Sequence, residues 1–228
     1  MSWGGLVELG MRFIELNDSV YEYLLRCANP STDAVTEELA ATTQERFGAQ
    51  AGMNVGPDQG AFLSMLVAIS GAELVVEVGT FTGMSATWLA RGLSEGGTLI
   101  CCDITDDYLA TAREAWQAAG VDDRIDFRCG PALDTLAAMP ATPHIDMAFI
   151  DADKPGYLSY FLEILPRLSP NGFVVVDNVL WSGSVIDESD QTDNTVALRE
   201  FNAHIAQRDD VVAVMLPVGD GVTIIRRR

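Results

Sequence analysis

The chain has 228 residues, 48% of them hydrophobic, and a formal net charge of −19 at pH 7. Its apolar fraction excludes a disordered protein and is sufficient to bury a substantial core. A pI near 4.2 disfavours a protein that grips a phosphate backbone or an anionic membrane, because both partners attract cations. The acidic residues are dispersed along the chain, which is typical of a soluble surface.

The cysteines and the N-terminus predict a cytoplasmic protein with no membrane partner. The four cysteines lack C-x-x-C spacing, and we expect them to be reduced core residues: Cys27, Cys101, Cys102 and Cys129. The first residues do not resemble a signal peptide, and no apolar run approaches the ~20 residues of a membrane span. The only histidines, His144 and His204, are too few for a histidine-rich metal site and nearly exclude a serine triad.

The N-terminal quarter of the chain is predicted to be helical. Residues 6–28 and 33–48 have helical spacing, and Asn29-Pro30-Ser31 between them indicates a stop and a new N-cap. A third helix is predicted over 57–70, with Pro57 in its first turn and Gly71 after its end. Because no linker is evident, we expect one domain over 1–228, with a helical cap or dimerisation region at 1–56 and a core at 57–228.

Short β-rich segments alternate with helical segments after residue 73, which predicts an α/β fold with a parallel sheet covered on both faces. The predicted strands are Leu74–Val78, Thr98–Asp103, Arg124–Arg128, Ile145–Asp151, Gly172–Asp177, Val211–Pro217 and Val222–Arg226. The predicted crossover helices are 84–94, 106–120, 132–138 and 155–168. Only four residues, 218–221, join the last two strands, too few for a parallel crossover, so those strands are predicted to form an antiparallel hairpin.

Acidic residues stand in or at the end of the predicted parallel strands, where ligands bind in open α/β sheets. The first turn has the spacing G-x-x-x-G from Gly79 to Gly83 and lacks the third glycine of a dinucleotide fingerprint. Glu77 beside it would repel a pyrophosphate and attract a cation, and Asp103 is placed to accept hydrogen bonds from ribose hydroxyls. These features predict S-adenosylmethionine (SAM). The alternative is that Glu77 is a loop acid and the glycines only form turns.

A second group of oxygen ligands is predicted where the fourth and fifth strands end. Asp151 and Asp153 follow one strand, and Asp177 and Asn178 follow the next. Their hard oxygen atoms select Mg²⁺, or another hard divalent cation such as Mn²⁺ or Ca²⁺, and argue against zinc. The alternative, a solvated loop or helix caps, is disfavoured because the acids lie on consecutive strand ends.

From about Met53 to Arg227 the chain resembles the cation-dependent O-methyltransferases that include catechol O-methyltransferase and plant caffeoyl-CoA O-methyltransferases, with bacterial members of the second group closest. The segments that carry the resemblance are Gln59–Leu66, Glu77–Ser85, Gly130–Leu133, Phe149–Lys154, Asp177–Trp181 and Leu216–Gly221. The chain departs from the family at Gln59, where many members have Glu, and at Val55, where plant members have a hydroxyl residue. The N-terminal 50 residues match poorly.

The resemblance implies a Rossmann-like class I methyltransferase fold with a seven-stranded sheet, extra N-terminal helices and a homodimer. The residues that it implies for contact with SAM are Val55, Glu77, Gly79, Thr80, Ser85, Asp103, Ala132 and Asp153. It also implies a divalent cation held by Asp151, Asp177 and Asn178.

The predicted reaction transfers a methyl group to a hydroxyl of a vicinal dihydroxy aromatic compound, with Lys154 and Asp151 as catalytic residues. Candidates to line the acceptor pocket are Met53, Tyr157 and Trp181, each of which could instead lie in the core. One alternative is a family member that methylates hydroxyuridine in tRNA, which the net charge opposes. Another is a non-catalytic nucleoside-binding protein, which the retained acids and Lys154 oppose.

Overall fold

The computed structural model describes Ile14, residues 16–29 and residues 32–228. Its α-helices are α1 (Asp18–Cys27), α2 (Ala34–Phe47), α3 (Pro57–Ser70), α4 (Met84–Gly92), α5 (Leu109–Ala119), α6 (Ala132–Ala138), α7 (Tyr157–Ile164) and α8 (Asp193–Ala206). Its strands are β1 (Leu74–Val78), β2 (Thr98–Asp103), β3 (Ile125–Cys129), β4 (Ile145–Ile150), β5 (Leu168–Val176), β6 (Val211–Leu216) and β7 (Val222–Arg227).

The seven strands form one sheet in the order β3-β2-β1-β4-β5-β7-β6. Strands β1 to β5 pair in parallel, whereas β7 is antiparallel to both β5 and β6. The predicted, mostly parallel sheet with a C-terminal antiparallel hairpin is therefore confirmed. The strand order reverses between β1 and β4, and the carboxyl ends of these strands meet at the point where such sheets bind ligands.

Each face of the sheet is covered by a separate layer of helices because side chains alternate along each strand. Val76 and Val78 of β1 pack in the layer that contains α6, α7 and α8. Val75 packs in the layer that contains α3, α4 and α5. Glu77 has the same parity as Val75, so the alternation directs this carboxylate toward the layer of α3, α4 and α5.

The structure changes the bounds of the helix predicted over 155–168 and of the strand that follows it, for one identifiable reason. The helix predicted over 155–168 is an α-helix only over α7, with 3₁₀ turns at Lys154–Gly156 and Leu165–Arg167. Pro166 lies just after α7, where its ring and missing N–H prevent the helix from continuing. Strand β5 consequently begins at Leu168, four residues earlier than predicted, and α8 supplies the crossover between β5 and β6.

The N-terminal helices are shorter than predicted. Helix α1 begins after Asn17, whose side chain accepts a hydrogen bond from the amide of Val20 at 3.1 Å, and most of the predicted segment before it lies outside the described residues. Helix α2 is capped by Asp33, while Ser31, in the predicted cap segment, also lies outside them. Across the described ranges, no helix combines the length and apolar character needed to cross a membrane.

The prediction that all four cysteines lie in the core is wrong for two of them. Cys101 and Cys102 are buried on opposite faces of β2, but Cys27 and Cys129 are exposed. Cys27 ends α1, a helix with no buried residue, and Cys129 ends β3, an edge strand of the sheet. All four are free thiols.

Helices α3 and α4 cross closely because glycines lie at their contact. A Cβ atom on Gly92 would lie 2.4 Å from the carbonyl oxygen of Ser64, which is below any normal contact distance. Overpacking of this kind costs about 1–3 kcal/mol. We therefore expect Gly92→Ala to lower the thermal unfolding midpoint, as followed by circular dichroism. Gly52→Ala, at a glycine with no atom within 4 Å of the added Cβ, is the matched control, and equal effects of both changes would contradict this explanation.

Candidate active site

A cavity of about 1410 Å³ opens at the carboxyl ends of β1, β2, β4 and β5. Its wall also includes the segment from Gln50 to Gly56, which connects α2 to α3, and part of the hairpin turn between β6 and β7. The cavity therefore lies at the switch point of the sheet and is bounded on one side by the N-terminal region of the chain.

The structure brings thirteen of the fifteen predicted site residues together in this wall. They are Met53, Val55, Gly79, Thr80, Ser85, Asp103, Ala132, Asp151, Asp153, Lys154, Asp177, Asn178 and Trp181. Glu77 and Tyr157 do not line the cavity and are both fully buried. The positions of these two side chains differ from the expected direct contacts and are described below.

The loop after β1 is shaped by close contact with the end of β4. Gly79 has φ +91°, and a Cβ atom there would lie 1.9 Å from the carbonyl oxygen of Asp151. Only glycine combines that backbone conformation with so close an approach. Asp103 holds the same loop from β2, since its Oδ2 accepts hydrogen bonds from the amides of Thr80 and Phe81, both at 2.9 Å.

Glu77 lies behind the cavity wall, not in it. The Oγ of Ser85, which does line the cavity, donates a hydrogen bond to Glu77 Oε1 at 2.7 Å. Complete burial raises the pKa of Glu77 to about 7, and hydrogen bonds from Ser85 and its neighbours limit the increase. Its Oε2 atom is buried and has no hydrogen-bond partner. Glu77 is thus linked to the cavity through Ser85, and its direct contact with a ligand stays a prediction.

Asp151, Asp177 and Asn178 meet where β4 and β5 end. Asp177 is 2% exposed, and burial together with the charge of Asp151 raises its pKa to about 7. Burial also raises the pKa of Asp151, although Lys154 opposes the increase. Asn178 has a φ of +54°, a left-handed conformation that asparagine tolerates better than most residues.

Lys154 joins these two strand ends. Its Nζ donates hydrogen bonds to Asn178 Oδ1 at 2.7 Å and to Asp151 Oδ1 at 3.2 Å. The side chain is only 8% exposed, so its ammonium group offsets the acids inside the wall instead of pairing with them at the surface.

The donor set fits a hard divalent cation. Two carboxylates and one amide oxygen are oxygen ligands of the kind that Mg²⁺ and Ca²⁺ prefer. No group of three or more His, Cys, Asp or Glu residues with the spacing of a metal site occurs in the part of the chain that the structure describes. Asn178 would therefore have to supply the third ligand, beside Asp151 and Asp177. Its Oδ1 would have to give up the hydrogen bond from Lys154 in order to bind the cation.

The charges in the wall favour a cationic ligand without phosphate. Within the described residues, five carboxylates line the cavity, those of Asp103, Asp151, Asp153, Asp177 and Asp220. Lys154 is the one cationic side chain among the lining residues. A phosphate group would meet net repulsion here, whereas a positively charged group would be attracted.

Asp153, Met53 and Trp181 shape the remaining wall. Asp153 Oδ1 accepts a hydrogen bond from the hydroxyl of Tyr160 at 2.6 Å, and its Oδ2 caps the 3₁₀ turn at Gly156 N at 3.0 Å. Met53 is half-exposed, and the ring of Trp181 lies 5.4 Å from Lys154 Nζ. These two side chains give the acidic cavity an apolar section.

Comparison with known proteins gives a consistent result. A family model described as O-methyltransferase matches residues 27–228. The chain belongs to the O-methyltransferase family. It is 35% identical to caffeoyl-CoA O-methyltransferase 2 of Zea mays over 231 residues, covering 96% of this chain and 87% of the relative. The family match begins at residue 27, within the 50 N-terminal residues that were expected to match poorly.

Solved structures agree with this assignment. The O-methyltransferase of Bacillus cereus in complex with SAH superposes with a TM-score of 0.82 at 33% identity, covering 92% of this chain and 97% of that one. TomG of Streptomyces achromogenes, which is involved in tomaymycin synthesis and was solved in complex with SAM, gives a TM-score of 0.82 at 30% identity, with coverages of 92% and 96%.

Sequence reasoning did not identify two features of this methyltransferase as parts of its site. Gln59 stands out in the sequence only as a departure from the family, but its buried side chain lines the cavity, and its Nε2 has no hydrogen-bond partner. The buried hydroxyls of Thr43 and Thr82 are 3.0 Å apart, and Thr82 donates to Asn54 Oδ1 at 3.0 Å, which ties α2 to the first loop. No local pattern signals either contact, because both depend on tertiary packing.

The composition contained a further signal that was missed. Lys154 is the only lysine among the 14 lysine and arginine residues of the sequence. Arginine is protonated at all physiological pH values, whereas lysine can change its protonation state when it is buried. The lone, buried lysine therefore distinguishes this position from the other basic positions of the sequence.

Glu77 gives the methyltransferase a testable pH dependence of stability. Its folded pKa of about 7 lies above the ordinary value of 4.5, so the folded state binds more protons than the unfolded state between these values. The free energy of unfolding must therefore fall as pH rises through this window, by about 3 kcal/mol for this group.

We expect the stability gained by Glu77→Gln, relative to the unmodified protein, to increase from pH 5 to pH 8 in urea unfolding experiments. Glu95→Gln, which changes an exposed carboxylate, is the control and should show no such trend. A Glu77→Gln difference that is constant with pH would contradict the assigned protonation.

Proposed function

We propose that this O-methyltransferase uses SAM and a divalent cation to methylate one hydroxyl of a vicinal dihydroxy aromatic compound. The observation that carries the proposal is the cluster of Asp151, Asp177, Asn178 and Lys154 at the carboxyl ends of β4 and β5. Two of the proposed cation ligands, Asp151 and Asn178, lie there within hydrogen-bond distance of Lys154.

Three observations support SAM as the methyl donor. The wall is acidic, which suits a sulfonium ion, and Asp103 lies at the end of β2 where ribose hydroxyls are held in related folds. The B. cereus relative was solved with SAH and TomG with SAM, and we extend that preference to this chain.

We propose the chemical class of the methyl acceptor from the cavity residues that lie outside the loop after β1. Met53 and Trp181 offer apolar surface on which an aromatic ring can lie, while Asp151 and Asn178 lie at the polar end of the same wall. A compound with two adjacent hydroxyls presents two oxygens to such a cluster. The Zea mays relative is named a caffeoyl-CoA O-methyltransferase, which is consistent with a phenolic acceptor.

The reaction requires the acceptor oxygen to lose its proton, since an ordinary phenolic pKa is about 10. When bound, the donor supplies the methyl group and the cation supplies a Lewis acid that lowers the phenolic pKa. As an ammonium, Lys154 stabilises the oxygen anion that is left when the proton departs. To take up the proton itself, Nζ must first release one of its own protons to water. Asp151 accepts a hydrogen bond from Lys154. The fixed positions of the wall residues orient the reactants, an effect worth up to ~7–11 kcal/mol.

We also propose that the N-terminal region over 1–56 acts as a cap and dimerisation region, and that 57–228 is the SAM-binding core. Several apolar side chains of this side of the molecule are exposed, among them Tyr23 and Leu24 of α1 and Met65 and Ile69 of α3. An exposed apolar patch of this kind is typical of a protein interface, and the expected partner is a second copy of the chain.

A methyl-transfer screen tests the proposed reaction. The purified protein, SAM and Mg²⁺ are combined with catechols, caffeoyl thioesters, flavonoids or hydroxyuridine-containing tRNA, each with and without a chelator. We expect methylated catechol-type products that disappear with chelator. Asp177→Asn should lose this activity, because it removes one charge of the ligand set, while SAM affinity measured by calorimetry stays within about threefold.

The screen has two contradicting outcomes. Turnover that survives in chelator would overturn the role of the cation. Methylation of tRNA alone would favour the nucleic-acid alternative, whose affinity should then fall steeply with salt.

Replacement of the lone lysine tests its proton-handling role. Lys154→Arg retains the positive charge but replaces the ammonium with a guanidinium, which does not give up a proton in proteins. We expect Lys154→Arg and Lys154→Met to lower kcat by a similar factor, about 10²–10⁴, with little change in SAM affinity. A Lys154→Arg variant that keeps most of the activity would show that the residue acts only as a fixed charge.

A further inference from the structure

Lys154 has three hydrogen-bond acceptors, and one of them differs from the others. Its Nζ donates to Tyr157 Oη at 2.6 Å, to Asn178 Oδ1 at 2.7 Å and to Asp151 Oδ1 at 3.2 Å. Together they use all three N–H groups of an ammonium. Asn178 and Asp151 line the cavity, whereas Tyr157 is 0% exposed.

The core holds Tyr157 firmly. It is the first residue of α7, and its ring packs edge-on against Phe201 of α8 with centroids 6.0 Å apart. Lys154 Nζ lies 4.8 Å from the centroid of the same ring. Close-packed aromatic rings in a core cannot move with a ligand as cavity side chains can.

We propose that Tyr157 is the positioning residue for Lys154, holding Nζ from the core side while the bonds on the cavity side are exchanged. Because all three N–H groups are in use, Nζ can face an acceptor hydroxyl only if it gives up Asn178 or Asp151. The bond to Tyr157 remains in either case. This inference rests on the proposed role of Lys154 and replaces the expectation that Tyr157 lines the acceptor pocket.

Tyr157→Phe tests the proposal with minimal disturbance, because it removes the hydroxyl and retains the buried ring and its contact with Nζ. Loss of one hydrogen bond to a charged group predicts a kcat about 10- to 100-fold lower. The KM for SAM should not change, because Asp103 and Ser85 are untouched. A purely structural role would instead lower the unfolding midpoint and leave kcat of the folded fraction unchanged.

The lone lysine provides a second readout that does not depend on turnover. Protein grown with lysine labelled by ¹⁵N at Nζ, without a lysine-containing tag, gives one side-chain resonance, since the sequence has a single lysine. We expect this resonance to shift, and its protons to exchange faster with water, in Tyr157→Phe. Tyr21→Phe removes a hydroxyl bond of 2.7 Å to Asp58, outside the cluster, and should leave the resonance unchanged.

The two readouts separate failure of this inference from failure of the proposed function. A changed resonance supports Tyr157 as the positioning residue for Lys154 even if no acceptor in the screen is methylated. An unchanged resonance in folded Tyr157→Phe overturns it, and so does an unchanged kcat in a protein that methylates catechols. If Tyr157→Phe does not fold, fast proton exchange of the Lys154 resonance in the unmodified protein overturns it instead, and slow exchange supports it.

Discussion

Several carboxylates lie close together at one edge of the sheet, and the rest of the site must offset their mutual repulsion. Parallel strands bring their carboxyl ends to the same edge, so acids that follow β2, β4 and β5 must lie close together. The structure gives these acids hydrogen-bond donors of their own. Asp103 accepts hydrogen bonds from two backbone amides. Asp153 accepts hydrogen bonds from Tyr160 and Gly156, and Asp151 accepts one from Lys154.

The backbone fixes where these carboxylates stand. The sheet hydrogen bonds continue beyond the strands, from Asp151 N to Val78 O at 2.9 Å and from Asp177 N to Ile150 O at 3.0 Å. Gly79 allows the β1 loop to contact the Asp151 carbonyl directly. The acids are therefore held by the rigid sheet instead of by mobile loops, which is the condition for a preorganised site. The Lys154 side chain then completes an arrangement whose other members are already placed.

Sequence reasoning predicted this site as far as topology determines it. The alternation of strands and helices placed Asp103, Asp151 and Asp177 at one edge, and the short connection after β6 predicted the hairpin. Sequence reasoning did not predict the direction in which a side chain points from its strand or helix. Glu77 has the parity of Val75, so it points under Ser85, a result that strand alternation alone could have given.

Tyr157 and Gln59 could not be placed in the same way. Each is near the start of a helix, where sequence spacing does not tell whether a side chain faces the core or the cavity. The structure buries Tyr157 against Phe201 and brings Gln59 from α3 beside Asp177. Both results follow from how whole helices pack on the sheet, and no motif of one helix contains that information.

The single lysine of the chain gives more information about the site than the net charge does. The excess of acids indicated only a polar surface, because most of them lie far from the site in sequence. Within the described residues five of them pair with arginines, as Glu114 does with Arg46. Lys154 is different in kind. A tetrahedral ammonium with three donors matches the three acceptors around it, whereas a planar guanidinium would need a wider space and could not release a proton. The chain uses arginine wherever a permanent charge suffices, and its single lysine stands at the one cluster where the proposed reaction has a proton to move.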